Sequence, residues 1–210
     1  MLPVESIYTF CLASGLLALA PGPDNLYVLI QSAAHGRRSG VLVTMGLCTG
    51  LIVHTTAVAL GVAALFKTSA MAFMALKMAG ALYLLYLAWQ AFSSAGTILD
   101  KAGAENRTGL HLYRRGIIMN VTNPKVSIFF LAFLPQFAVL ENGPVAQQIF
   151  ILGALFILVT FIIFCSIALM AGSLGGWLNK SPGIQLYLNR AMGVFFAGLA
   201  VKLFMTDRSV

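Results

Sequence analysis

The stretch LLALAPGPDNLYVLI, residues 16–30, interrupts the first long apolar segment of the chain with two prolines, a glycine and an acid. Each proline lacks a backbone N–H and clashes with the preceding helical turn, so carbonyls near Leu17 and Leu19 lose their hydrogen-bond partners. Inside a membrane such a defect is tolerated only where protein or a water-filled cavity covers it. We therefore predict a membrane helix that is broken here and faces the protein interior.

A second stretch, IIMNVTNPKVSIFF, residues 117–130, repeats this device with different chemistry. Pro124 breaks the apolar segment, and Lys125 adds a positive charge directly after it. Asn120 and Asn123 place two polar amides on the same segment. The sequence thus predicts two broken helices, one carrying an acid and the other a base.

Both charges lie deep within their segments. Asp24 is 13 residues, about 20 Å of helix, from Arg37, and Lys125 is 11 residues, about 16 Å, from Arg114. An ionisable group at such a depth is a functional hypothesis by default. Two alternatives stay open, namely a proline kink used only for packing at Asp24 and a lysine that reaches the membrane interface at Lys125.

The composition of the whole chain indicates a membrane environment. Of 210 residues, 60% are hydrophobic and 9% are charged, with a mean hydropathy of +0.91, whereas soluble domains carry about 25% charged residues. Apolar runs of about 18 residues or more cross a bilayer as helices. We predict an all-α polytopic membrane protein with about six transmembrane helices. The predicted spans are 6–34, 41–66, 70–92, 116–138, 147–173 and 184–205.

The chain is predicted to be a single transmembrane transporter domain, 1–210. It divides into a first half, 1–92, a cytoplasmic loop, 93–115, and a second half, 116–210. The halves are faintly similar and each has three helices, so a repeat would be a 3+3 inverted repeat with helices 1 and 4 broken, an arrangement typical of transporters. Chance similarity between Gly-rich apolar segments is the alternative. The glycines expected to let helices approach closely are Gly46, Gly50, Gly61, Gly80, Gly153, Gly172, Gly193 and Gly198.

Positive charges are distributed unevenly between the connections. The net charge is +7, but the cations are scattered over short loops, and no basic face is long enough to follow a nucleic acid backbone. Lys and Arg accumulate on the cytoplasmic side of membrane proteins, which places both termini on the outer, periplasmic side. The connections after helices 1, 3 and 5 hold Arg37, Arg38, Lys101, Arg107, Arg114, Arg115, Lys180 and Arg190. The opposite side holds Lys67, Lys202 and Arg208.

The two breaks together suit a zwitterion. A helix that starts after Pro23 or Pro124 presents free N–H groups and a positive dipole end, which favours a carboxylate, and Asp24 suits an ammonium. An ion pair between Asp24 and Lys125 is the other interpretation. The predicted substrate-binding and proton-coupling residues are Pro21, Gly22, Pro23, Asp24, Asn25, Asn120, Asn123, Pro124 and Lys125. Gln31 and His54 are further candidates, for which packing is the simpler interpretation.

Other classes of protein find little support. The sequence has no nucleophile elbow, no phosphate-binding Gly-rich loop and no His-Glu-x-x-His motif, so we expect no enzymatic activity, no metal and no cofactor. A membrane thiol-disulfide carrier would need a reactive pair among Cys11, Cys48 and Cys165, whose spacing does not provide one. A membrane scaffold without transport activity has no reason to carry a buried acid and base.

The residues Pro21–Asn25 and Thr122–Lys125, in this order, resemble the signatures of the LysE/RhtB family of bacterial amino-acid exporters. The resemblance covers nearly the whole chain and includes the stretches 35–40, 80–89 and 129–137. It implies secondary, proton-driven export of amino acids or related small metabolites across the bacterial cytoplasmic (inner) membrane, with protons and membrane lipid as further partners. The motifs do not select a substrate, and they leave the oligomeric state open, with a homodimer as one option.

From these features we expect alternating access around the paired breaks. The substrate carboxylate would meet groups near Asn123 and Lys125, and its ammonium would meet Asp24. Asp24 is the expected proton-coupling group, since buried acids carry protons in many transporters.

Overall fold

The computed structural model describes residues 2–20, 22–68, 70–93, 108–179 and 182–205, and the regular structure in these ranges is helical. The α-helices are α1 (Val4–Leu19), α2 (Pro23–His35), α3 (Arg37–Thr68), α4 (Ala70–Ser93), α5 (Gly109–Val121), α6 (Pro124–Ile128), α7 (Val145–Asn179) and α8 (Pro182–Met205). The chain is a multi-pass membrane protein, and large apolar side chains are exposed along its helices, as at Leu60, Met71 and Val194.

The first predicted break is confirmed. α1 ends at Leu19 and α2 begins at Pro23, with an angle of 58° between the two helices. Proline suits the first position of a helix, where its missing N–H would have no partner in any case. Gly22 before it is extended. Pro21 lies outside the described residues.

The second predicted break is also confirmed, but its first arm is longer than expected. α5 ends at Val121, and the segment Pro124–Phe137 is bent by 50° from it. This segment continues from α6 through a π-helical turn (Phe129–Phe133) and a 3-10 turn (Leu134–Phe137).

The connection predicted at 93–115 as a loop or a short surface helix is helical at its second end. α5 begins at Gly109, so Arg114 and Arg115 lie on a helix. The reason is that Leu112 is buried in an apolar cluster with Val43, which extends the packed face of α5 beyond the apolar run. The remainder of that loop up to residue 107 lies outside the described residues.

The helices enclose two apolar clusters. The larger one joins α1, part of α3, α4, the segment after Pro124, α7 and α8, with Phe10, Phe129 and Phe156 among its buried rings. The smaller one joins α2, α3, α5 and α7. α3 packs against α5 and α7, and α7 also packs against α1 and α2. Both breaks are therefore held against long unbroken helices.

Glycines let α3 and α5 approach closely. A Cβ at Gly46 would overlap the Tyr113 carbonyl oxygen, and one at Gly116 would overlap the Val43 carbonyl oxygen, so α3 and α5 cross backbone to backbone. The expected close approach is also confirmed at Gly50, Gly153 and Gly193, where a Cβ would meet Asn120, Thr55 and Phe92. The expectation was wrong for Gly61 and Gly198, where no atom of the described residues lies within 4 Å of such a Cβ.

Two single helices in the described residues are long and apolar enough to cross a membrane, through Arg37–Gly61 and Val145–Ala171. Each of the two bent pairs also passes this test when its arms are taken together, which gives up to four spans. The count of six spans therefore stays a prediction.

Candidate functional site

A pocket lies where the two apolar clusters meet. It encloses about 320 Å³ of space between its atoms, measured out to its open mouth. Five polar side chains line it, from α2, from both sides of the second break and from α7: Asp24, Asn25, Asn120, Lys125 and Thr160. The sequence predicted four of these five.

Asp24 occupies the first turn of α2 and is 7% exposed. Its Oδ2 accepts a long hydrogen bond of 3.5 Å from Asn120 Nδ2, and its Oδ1 has no partner. The carboxyl group is close enough to Lys125 and His54 to interact with them electrostatically. A buried carboxylate with an unpaired oxygen is costly, so this group is suited to take up a proton or a cation.

Lys125 follows Pro124 at the start of α6. Its ammonium donates to the carbonyl oxygens of Leu17 at 3.0 Å and Ala20 at 2.9 Å. The C-terminal end of a helix carries a partial negative charge that a cation stabilises. Lys125 therefore caps the broken end of α1 and does not bond Asp24, which decides against a direct ion pair in this conformation. Two of its three N–H groups are used.

The Asn25 side chain forms hydrogen bonds with backbone groups of the first break. Its Oδ1 accepts from the Gly22 N–H at 2.8 Å, and its Nδ2 donates to the Ala20 carbonyl at 2.8 Å, with a longer contact of 3.4 Å to the Leu19 carbonyl. The carbonyls expected to lose their helical partners near Leu17 and Leu19 are thus bonded by side chains. Asn25 lines the pocket, but its amide is already occupied by the backbone.

Asn120 connects the second broken helix to α3. It is 2% exposed, and its Oδ1 has no partner. Its backbone carbonyl accepts a hydrogen bond of 3.1 Å from His54 Nε2, which requires that this nitrogen carry the proton. His54, left open by the sequence, is therefore brought to the site through Asn120 without lining the pocket itself.

Asn123 caps α6. Its Oδ1 accepts from the Lys125 backbone N–H at 3.0 Å, and its Nδ2 is buried without a partner. The cap orients the first turn of α6, which carries Pro124 and Lys125. Gly22 and Pro23 likewise lie at the start of α2, next to the pocket-lining Asp24.

Gln31 does not line the pocket. It is fully buried in α2, where its Nε2 donates to the Tyr27 hydroxyl at 3.1 Å and its Oε1 contacts His35 Nδ1 at 3.0 Å. The Arg115 guanidinium stacks 5.0 Å from the Tyr27 ring centre. Gln31 thus belongs to a polar chain that leads toward the turn between α2 and α3.

Thr160 was missed by the sequence reasoning. It lies on α7, is 4% exposed, and its hydroxyl has no partner. A lone threonine in an apolar helix has the same local pattern as Thr55 on α3, so only the tertiary structure distinguishes the two.

Thiol and metal chemistry have no visible site in the described ranges. Cys11, Cys48 and Cys165 are all free thiols. No group of three His, Cys, Asp or Glu side chains there is placed to hold a metal ion.

Comparisons with known proteins agree with this picture. The family model described as LysE type translocator matches residues 16–207. A homoserine/homoserine lactone efflux protein of Salmonella typhimurium is 36% identical over 189 residues, which is 90% of this chain and 91% of the relative. A leucine efflux protein of Salmonella choleraesuis is 27% identical over 201 residues, 95% of each chain. No solved structure matches the chain significantly.

Proposed function

This chain belongs to the LysE type translocator family, and from that membership we propose that it is a secondary exporter of amino acids or related small metabolites. We place it in the bacterial cytoplasmic membrane with both termini on the periplasmic side, and assign protons as the counter-ion. The relatives named for homoserine and leucine efflux point to neutral amino acids as the first substrates to test.

The observation that carries the proposal is the pocket with opposite charges at two helix breaks. The unpaired oxygens of Asp24 and Asn120 are acceptors, and together they suit the three N–H groups of an ammonium. Lys125 retains one N–H beyond its two carbonyl partners and suits a carboxylate. The Nδ2 of Asn123 makes no hydrogen bond of normal geometry, although its side chain interacts with the Asp24 carboxyl group, and it is a further donor on the same segment. An α-amino acid carries both an ammonium for these acceptors and a carboxylate for these donors.

Proton coupling follows from competition at one carboxyl group. A proton on Asp24 removes the negative charge that would hold the substrate ammonium, so proton and substrate exclude each other at this oxygen pair. If the carrier changes access only when Asp24 holds either a proton or a substrate, it exchanges the proton and the substrate across the membrane. This is antiport, in which inward proton movement drives outward substrate movement.

The paired breaks are the elements around which access would alternate. α3 packs against α5, and α7 packs against α1 and α2. In each case the long helix of one half packs against the broken helix of the other half, as expected if an inverted two-fold axis relates the two halves. We propose that the arms of both breaks rock against α3 and α7 while the pocket between them opens to one side at a time.

The direct test is reconstitution of the purified chain in proteoliposomes with an imposed pH gradient. We expect labelled neutral amino acids, L-homoserine and L-leucine among them, to move against the direction of proton flow. Transport should vanish when a protonophore collapses the gradient. Failure to move any amino acid of a full panel would contradict the proposal.

Lys125→Ala should separate substrate recognition from helix capping. Loss of a charge-assisted contact predicts binding of an amino acid about tenfold weaker or worse, whereas the corresponding amino-acid amide, which has no carboxylate, should lose much less. Competition of both ligands against labelled L-homoserine measures this. An equal loss for both would assign Lys125 only to the end of α1. Arg38→Ala, at an exposed position, is the control.

A thiol-disulfide carrier is the competing function. Replacement of Cys11, Cys48 and Cys165 by alanine should leave amino-acid transport within about twofold of the original chain, because free Cys side chains mostly act as small packing groups. The measurement is the same proteoliposome assay. Complete loss of transport with intact folding would favour thiol chemistry.

A further inference from the structure

Thr160 differs from the other buried hydroxyl side chains that the structure describes. Ser14, Ser32, Thr44 and Thr55 each donate to the carbonyl oxygen four residues earlier on the same helix, at 2.7, 2.6, 2.9 and 2.8 Å. The Thr160 hydroxyl makes no such bond and has no partner. It is as buried as the other four and lines the pocket.

An unpaired hydroxyl in an apolar helix is unfavourable. A serine or threonine inside a helix normally bonds the preceding turn, and burial without any partner costs desolvation free energy. A polar group that enters the pocket would give the Thr160 hydroxyl a partner. Phe156 and Phe164, one turn before and one turn after Thr160, line the same pocket, so all three lie on one face of α7.

The other residues that line the pocket indicate which part of the substrate the Thr160 hydroxyl would bind. In the proposed function, the acceptors Asp24 and Asn120 hold the ammonium and Lys125 holds the carboxylate, while the Asn25 amide is occupied by backbone groups. The rest of the described lining is apolar: Leu17, Ala18, Leu51, Val126, Phe156 and Phe164. Thr160 is the one polar group there left for a substrate side chain.

We propose that the Thr160 hydroxyl is a specificity determinant that binds a hydroxyl or carbonyl group on the side chain of the transported amino acid. The inference rests on the proposed function and deepens it. The apolar walls accept a short aliphatic chain, and Thr160 adds a hydrogen bond at its polar end. The pocket thus prefers a short polar side chain to an apolar one of equal size.

L-Homoserine and L-norvaline test this, because they differ only by a hydroxyl in place of a methyl group. We expect the original chain in proteoliposomes to take L-homoserine with an apparent affinity about three- to tenfold higher than L-norvaline, the effect of one hydrogen bond. Thr160→Val, which conserves shape, should abolish this preference by weakening L-homoserine alone. Thr160→Ser should retain it.

Thr55→Val is the matched control, because it also removes a buried hydroxyl but at a position bonded to its own helix. It should leave the ratio of the two affinities unchanged. Thermal unfolding of each variant shows whether the fold is retained. An unchanged ratio in Thr160→Val, or an equal loss for both amino acids, would overturn the inference while leaving amino-acid transport in place. Absence of transport of both by the original chain would instead contradict the proposed function, and the inference with it.

Discussion

Asp24→Asn is expected to abolish export driven by a pH gradient, down to the level of protein-free liposomes. The amide has nearly the shape of the carboxyl group but can neither carry a proton nor neutralise an ammonium. Asp24 is buried with one unpaired oxygen. No neighbouring acid within the described structure can take its place. The measurement compares gradient-driven transport with exchange of labelled for unlabelled amino acid at equal pH on both sides.

Glu5→Gln is the matched control, since Glu5 is an exposed acid in the first turn of α1. It should retain full transport. If Asp24→Asn binds substrate more weakly and also fails in gradient-free exchange, Asp24 serves both as ammonium site and as proton carrier. Gradient-driven transport at the original rate in Asp24→Asn would remove Asp24 from the mechanism.

Gly46→Ala, outside the pocket, should have a large effect on stability. The added Cβ would overlap the Tyr113 carbonyl oxygen and lie 3.0 Å from Gly116 Cα. These are backbone atoms of a packed helix and cannot rotate away, so α3 and α5 must separate. We expect a loss of about 3 kcal/mol, which corresponds to a fall of about 6–12 °C in the unfolding midpoint of a chain of this size.

Gly61→Ala provides the comparison on the same helix. No atom of the described residues lies within 4 Å of a Cβ at Gly61, and alanine is the better helix former by about 1 kcal/mol. Its midpoint should stay constant or rise in detergent solution. Equal midpoints for the two variants would show that the crossing of α3 and α5 yields easily to an added methyl group.

The breaks could be predicted from the sequence because proline acts locally. Its missing N–H and fixed φ interrupt a helix whatever surrounds it, so Pro23 and Pro124 marked both bends correctly. The depth of Asp24 and Lys125 followed from residue counting, and the two do line one pocket.

The partners of these side chains could not be predicted in the same way. Lys125 was considered as a partner of Asp24 or of a substrate, whereas it bonds carbonyls at the end of α1. Which of two nearby negative groups a long lysine side chain reaches depends on the angle between helices from different halves. No spacing along the chain encodes that angle.

The roles of individual glycines and threonines could not be predicted from the sequence either. Gly46 and Gly61 lie in similar apolar surroundings along α3, yet one is at a helix crossing and the other has open space around it. Thr55 bonds a carbonyl of its own helix, whereas Thr160 does not and lines the pocket. These distinctions arise from tertiary packing, which the helical pattern alone does not determine.

The capping of α1 by Lys125 also has a consequence for synthesis of the protein. The Leu17 carbonyl receives its partner from a residue 108 positions later in the chain. A ribosome delivers the first half to the bilayer before that lysine has been made. Carbonyls without partners do not persist in lipid, so the nascent first helix must keep its broken end hydrated or held by the insertion machinery. Completion of the N-terminal half therefore waits for the C-terminal half to arrive.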